Sequence, residues 1–205
     1  TALKTYRTAA EKLTAERGKA AKKFGTAVTT VVRTLGMANA QFAVALETSA
    51  GDPRALGDDV IRFDFSANPG QPPRALAKVA SGGELSRISL AIQVAGLHDT
   101  GAATMIFDEV DAGVGGGVAE IVGQKLRELG AQRQVLCVTH LAQVAAQGRN
   151  QFGIRKEVKA GKTFTRVQAL GASERADELA RMLGGVEVTA SSQAHAKELL
   201  KRAKG

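Results

Sequence analysis

An α/β domain entered by one long helix is the fold this sequence predicts, and three features carry the prediction. Between residues 82 and 138 helical and strand-like stretches alternate, the order that builds a mostly parallel sheet flanked by helices. Residues 3 to 38 hold apolar side chains at alternating three- and four-residue steps. The short apolar stretch Thr104-Met105-Ile106-Phe107 runs directly into Asp108-Glu109, two carboxylates at the C-terminal end of a strand, where open α/β sheets bind their ligands.

The first element is read from the seam Leu3, Tyr6, Ala10, Leu13, Arg17, Ala20, Phe24, Ala27, Val31, Thr34 and Ala38, imperfect at Arg17 and Thr34. From Phe24 onward Val28, Val32 and Leu35 widen the stripe, so a coiled-coil strand that ends packed on a domain is expected. An ordinary amphipathic helix fits the Ala-rich seam as well. After Gly36 the period becomes two: Phe42, Val44 and Leu46, then Val60 to Phe65, read as two strands joined through Gly51-Asp52-Pro53. The stretch Asn68 to Pro73 reads as a loop. A helix from Gly82 to Leu97, a buried strand over 104–107, a helix from about Val118 to Leu129 and a strand Val135 to Val138 follow. Beyond them come a short helix from Leu141, strands near 152–158 and 164–169, and helices over 174–183 and 191–202. The expected division is 1–38 as the end of a helical arm and 39–205 as the domain.

Composition narrows the function classes. With 205 residues and 44% hydrophobic content the chain can fill a core, which excludes a disordered tail. No apolar run approaches the roughly 18 residues of a membrane span, and the opening residues lack signal-peptide order, so a cytoplasmic protein with no membrane partner is expected. Cys137 is the lone cysteine and no Cys/His spacing suits zinc. The net charge of +8 is uneven: residues 1–33 hold eight Lys or Arg against Glu11 and Glu16. Such a cationic segment meets phosphate backbones or acidic surfaces, or is a solvated helix face. With 4% aromatic residues and no Trp, a base-stacking platform is poorly supported.

Three clusters carry chemistry. Adjacent strand residues point to opposite sides, so Asp108 can hold a water-coordinated Mg²⁺ while Glu109 aligns or deprotonates a water. Ser81-Gly82-Gly83-Glu84 opens a helix as a capping box, Ser at the N-cap and Glu three residues on. The capping box gives no reason for Gly-Gly, whereas exposed N–H groups and a hydroxyl at a helix N-terminus suit a γ-phosphate. Thr139-His140 ends the next strand at the same sheet edge, where a histidine can donate to that phosphate or serve structure alone.

In their order and spacing, KVASGGELSRISLAIQ, TMIFDEVDAGVGGGVAE and QVLCVTHLAQVAA resemble the C-terminal half of the ATPase head of the RecN family, SMC-like ABC-type ATPases of bacterial DNA repair. ERADELARMLGG and AHAKELL resemble that family's C-terminus, and the first helix matches its returning coiled-coil arm. The resemblance implies the C-terminal lobe of an ABC/SMC-type P-loop NTPase head. It implies Ser81, Gly82, Gly83 and Glu84 as signature loop, Asp108 and Glu109 as Walker B pair, Asp111 to Gly113 as D-loop, and His140 as switch histidine. ATP and Mg²⁺ are the implied ligands. The implied partners are a second head in an ATP-dependent dimer and double-stranded DNA or its ends, in the bacterial cytoplasm at the nucleoid.

No Gly-x-x-x-x-Gly-Lys-Ser/Thr loop is present; Gly18-Lys19 lacks both the upstream glycine and the following hydroxyl, and Gly161-Lys162, though followed by Thr163, has Lys156 where the upstream glycine belongs. The phosphate loop is therefore expected from an N-terminal half of the same head, and the chain alone is expected to be inactive. A transporter ATPase shares the head motifs but not the heptad helix. Another SMC-type head, or a non-catalytic scaffold with a relic signature, are the competing readings.

Overall fold

The long first helix, α1 (Ala2–Thr34), sets the frame of the computed structural model, which describes residues 1–49, 51–68, 70, 72–78, 81–96, 102–159, 161–185 and 187–203. Two compact units divide the chain, residues 1–100 and 101–205.

In the first unit α1 lies along the antiparallel pair β1 (Gln41–Thr48) and β2 (Asp59–Ser66), with Phe42 opposite Phe65 and Thr48 opposite Asp59. The helix ends at Thr34, earlier than the sequence suggests, because Gly36 takes φ +82° and turns the chain into the sheet. Its C-terminal half is anchored by burial: Val28, Val32 and Leu35 are fully enclosed, and Phe24 joins Phe42 and Phe63 in an aromatic cluster with centroids 5.4–6.4 Å apart. At Gly25 a Cβ would stand 3.4 Å from the Phe42 carbonyl, so glycine lets helix and strand approach. The Thr29 hydroxyl donates to the Phe42 carbonyl at 3.2 Å and accepts from the Phe42 N–H at 3.0 Å.

The N-terminal half of α1 is held by polar contacts instead. Tyr6 donates to Asp58 at 2.7 Å, Arg7 to Asp58 at 2.8 Å, Thr14 to Asp59 at 2.8 Å and Arg17 to Asp59 at 3.0 Å. Gly57, at φ +81°, lies against Leu13 and Arg17. The seam positions from Tyr6 to Arg17 are thus engaged by the β1–β2 connection of the same chain. A two-residue strand β3 (Arg74–Ala75), not foreseen from sequence, extends the sheet beside β2 and runs into a 3-10 turn over Leu76–Lys78. Helix α2 (Gly82–Ala95) packs on α1; the expected end at Leu97 lies outside the described residues.

The second unit opens with β4 (Thr104–Phe107), paired in parallel with β5 (Gln134–Cys137) across α3 (Gly116–Leu129). This is the right kind of connection, but the parallel sheet is small. Among the described residues β4 and β5 pair only with each other, and the other two sheets are antiparallel. The strand read as buried is consequently one-sided: Phe107 is 6% exposed while Ile106 is 70% exposed. An uninterrupted apolar run predicts cover on both faces, and here only one is covered. Helices α4 (Ala142–Gln147), α5 (Ala172–Gly184) and α6 (Ala190–Arg202) share a core of Ala142, Ala146, Leu179, Ala180, Ala196 and Leu199. An antiparallel ribbon, β6 (Phe152–Lys159) and β7 (Lys162–Ala169), joins α4 to α5 with its side chains mostly in solvent. Arg175 of α5 ties these parts together, donating to the carbonyls of Ala145, Ala146, Gly148 and Arg149 at the end of α4 and to Gln151.

Candidate nucleotide site

Parallel pairing of β4 with β5 brings their C-terminal ends side by side, with Phe107 opposite Cys137 and the Val138 N–H donating to the Phe107 carbonyl at 2.9 Å. Asp108 and Glu109 leave one strand at this edge, and Thr139 and His140 leave the other. The sequence correctly joins them at one edge, but by a different local geometry. Asp108 and Glu109 lie beyond the last strand residue, so strand alternation does not separate them. The two differ in backbone: Glu109 adopts φ +56°, a left-handed conformation costly for a residue with a Cβ. The Glu109 N–H donates to Asp108 Oδ1 at 3.0 Å, which offsets part of that cost. Both carboxylates are exposed.

Asp111 behaves otherwise. It is 2% exposed, and its Oδ2 accepts from the Thr139 hydroxyl and from the His140 N–H at 3.2 Å. The Thr139 hydroxyl oxygen accepts from the Leu141 N–H at 3.0 Å, which closes the turn that leads into α4. The His140 ring is 71% exposed and its Nδ1 stands 3.5 Å from Asp111 Oδ2. Thr139 had no assigned role in the sequence; its position just before a strand-end histidine is the only local signal for it. Burial, aided by Asp111 and Asp108, pushes the Cys137 thiol up to about 12, so this cysteine is no nucleophile at neutral pH.

After Asp111 the chain is rich in glycine. Gly113 takes φ +71° and Gly116 φ +54°, and a Cβ at either would meet nothing within 4 Å. These glycines therefore serve the backbone turn rather than close packing, and they leave the N-terminus of α3 open. Beside β5 runs a groove of about 670 Å³, with Leu136, Val138, His140, Val144, Phe152 and Met182 on its walls.

In the first unit Ser81 caps α2 in extended conformation, its hydroxyl accepting from the Glu84 N–H at 3.4 Å while its carbonyl accepts from the Leu85 N–H at 3.0 Å. Ser81 and Gly82 are exposed and Gly83 is buried. The loop can present a hydroxyl and the first N–H groups of a helix to an anion.

Comparison with known proteins gives the family. A DNA repair protein RecN of Xylella fastidiosa is 48% identical over 200 residues, covering 97% of this chain and 36% of that protein. RecN of Vibrio cholerae is 47% identical over 96% of the chain and 35% of its own length, and RecN of Bacillus subtilis 48% identical over 72% and 26%. The chain spans about a third of the length of the first two relatives. No family model matches it. Among solved structures, the Smc head domain with a coiled coil and joint from Pyrococcus yayanosii aligns with TM-score 0.56 at 18% identity, over 90% of this chain and 29% of that one. The Smc head of Pyrococcus furiosus bound to the C-terminal domain of ScpA aligns with TM-score 0.53 at 16% identity, over 80% and 38%. These likenesses speak to fold and the RecN relatives to descent: along nearly its whole length the chain belongs to the RecN family, and its fold is that of the C-terminal lobe of an SMC-type head.

Proposed function

We propose that this chain supplies the C-terminal part of an ATP-binding and ATP-hydrolysing head in a RecN-like DNA repair protein, acting in double-strand-break repair and recombination. The observation that carries the reading is the meeting of Asp108 and Glu109 with the Asp111-held Thr139-His140 turn at the ends of two paired parallel strands. In this reading residues 1–38 end a coiled-coil arm and 39–205 belong to the head.

Each residue then has a task. The Glu109 carboxylate aligns the attacking water and takes its proton, from a backbone position that the left-handed turn and the Asp108 contact keep fixed. His140 donates to the γ-phosphate from its exposed ring. Ser81, Gly82, Gly83 and Glu84 receive the γ-phosphate of ATP held by a second head, and the Asp111–Gly113 turn has the role of the D-loop. Among the described residues no group of three or more His, Cys, Asp or Glu is arranged to hold a cation. A single exposed carboxylate nonetheless suits Mg²⁺, which keeps most of its water shell, and Asp108 is the residue that would hold it through water. Held there, the ion would supply positive charge against the phosphates.

The phosphate loop comes from the N-terminal half of the same head. The apolar groove beside β5, with Ile106, Leu136 and Val138 exposed around it, is the surface we assign to that half. ATP then joins two heads and hydrolysis parts them, a cycle that the arm passes to DNA or DNA ends in the cytoplasm. Among the described residues no helix is long and apolar enough to cross a membrane. The test is Glu109→Gln in the full-length protein: nucleotide binding is expected to persist while turnover falls by about 10²-fold or more. Unchanged turnover would remove Glu109 from the reaction.

A further inference from the structure

We infer that Asp111 is a positioning residue for His140, acting on the switch histidine from its own chain instead of touching nucleotide. The inference rests on the nucleotide-site reading above and deepens it.

A carboxylate at 2% exposure is costly unless its oxygens are satisfied. Asp111 meets that requirement on the strand-end turn after β5. Its Oδ2 accepts from the Thr139 hydroxyl and from the His140 N–H at 3.2 Å, so the turn is gripped at a side chain and at the backbone of the histidine itself. The same oxygen lies 3.5 Å from His140 Nδ1. Among the described residues no other side chain pairs with the ring, which is otherwise open to solvent. Asp111 therefore governs both where the ring is and which way it faces.

The contact also governs which nitrogen carries hydrogen. Beside a carboxylate, Nδ1 bears the proton, and Nε2 is the nitrogen turned outward. A ring oriented in this way turns Nε2 toward a phosphate oxygen and gives Nδ1–H to a carboxylate, so the contact that orients it is charge-assisted. The turn that carries Asp111 is closed by the Ala112 N–H donating to the Glu109 carbonyl at 3.0 Å. Asp111 is thus the mechanical link between the residue that handles water and the residue that contacts the γ-phosphate.

Asparagine separates this role from simple anchoring. Its carbonyl oxygen, in the place of Oδ2, can accept from Thr139 and from the His140 N–H as the carboxylate does and still faces Nδ1, but without the negative charge. The experiment measures ATP turnover by the full-length protein as wild type, Asp111→Asn, His140→Ala and the double variant, with thermal unfolding of each. The expected result is an Asp111→Asn protein that melts like wild type, keeps KM within about twofold and loses kcat roughly tenfold, the difference between a charge-assisted and a neutral hydrogen bond. In the His140→Ala background the same substitution is expected to change kcat by less than about twofold, because it acts through the missing ring. Wild-type kcat for Asp111→Asn, or an equal proportional loss in both backgrounds, overturns the inference. If His140→Ala itself turns over at the wild-type rate, the switch-histidine reading falls first and the inference with it, an outcome distinguishable from the other two.

Discussion

Replacing Gly123 by Ala sets two effects of known sign against each other. Gly123 lies inside α3, where Ala is favoured over Gly by about 1 kcal/mol. A Cβ at that position, however, would stand 2.7 Å from Gln147 Cγ, 3.1 Å from Gln147 Cβ and 3.1 Å from the Val144 Cα. Gln147 is 7% exposed and cannot swing its inner carbons aside, and the Val144 Cα moves only if α4 moves. Overpacking of this kind costs about 1–3 kcal/mol, and contact with a backbone atom places it in the upper half, near 2.5. The net loss is then about 1.5 kcal/mol, close to a tenfold change in the local opening equilibrium. Hydrogen–deuterium exchange of the full-length protein reads this directly, with amides of α3 and α4 exchanging roughly tenfold faster in the variant. Because α4 begins just beyond His140, turnover falls with it. Adding Gln147→Ala removes the 2.7 Å contact and leaves the one to Val144, so part of the protection returns. Equal or slower exchange in Gly123→Ala would falsify the close-approach argument, since helix propensity alone would then decide the outcome.

Asp58 is held below the ordinary carboxylate value of 3.8, chiefly by the Tyr6 hydroxyl and then by Arg7, and Asp59 likewise by Thr14 and Arg17. A depressed folded-state value means the clamp on α1 contributes fully above pH 3.8 and is lost as the pH falls through the lower folded values; NMR titration placing either carboxyl at or above 3.8 contradicts this. Removing the Arg175 guanidinium by Arg175→Met takes its donors from the carbonyls of Ala145, which keeps the Gly148 N–H, and of Ala146, Gly148 and Arg149, and is expected to cost about 2–3 kcal/mol, read as faster amide exchange in α4 and α5; unaltered exchange would show that water replaces the guanidinium at no cost. Full-length Ser81→Arg and Glu109→Gln proteins, each inactive alone, should recover roughly a quarter of wild-type turnover when mixed, if the signature loop serves the partner head. No recovery means either that the two motifs of one chain serve the same nucleotide or that the two sites must fire together. If the cationic side of α1 meets DNA, reversing Lys19, Lys22 and Lys23 to Glu flattens the salt dependence of binding, and an unchanged slope makes those lysines a solvated face.

Most element positions were legible in the sequence because each rests on local pattern. The alternation through Phe42, Val44 and Leu46 places β1, the apolar run 104–107 coincides with β4, and Ser81 with Glu84 marks the start of α2. What the sequence withheld depends on tertiary neighbours. The heptad seam predicts a partner for Tyr6, Leu13 and Arg17 but cannot say that the partner is the Asp58–Asp59 connection some forty residues downstream. Asp108 and Glu109 were readable as a pair, whereas the left-handed turn at Glu109 is a backbone choice that residue identity does not announce. For Asp111 the resemblance implies a place in the D-loop and no tie to His140, and only the register of β4 against β5 brings it to Thr139 and His140.

The clamp at Asp58 and Asp59 decides where α1 stops being rigid. A helix seated only through Val28, Val32 and Leu35 would have its fulcrum near Phe24, with everything upstream held by the helix's own stiffness alone. With Tyr6, Arg7, Thr14 and Arg17 also pinned, the fulcrum shifts to about Tyr6, roughly 25 Å further along the axis at 1.5 Å per residue. A tilt of α1 by about 10° about its end at Thr34 would carry Tyr6 about 7 Å, a displacement that the Asp58 and Asp59 contacts share with the sheet. The β1–β2 connection thus works as a brace, and its two aspartates set the gear ratio between motion at the sheet and motion at the helix tip.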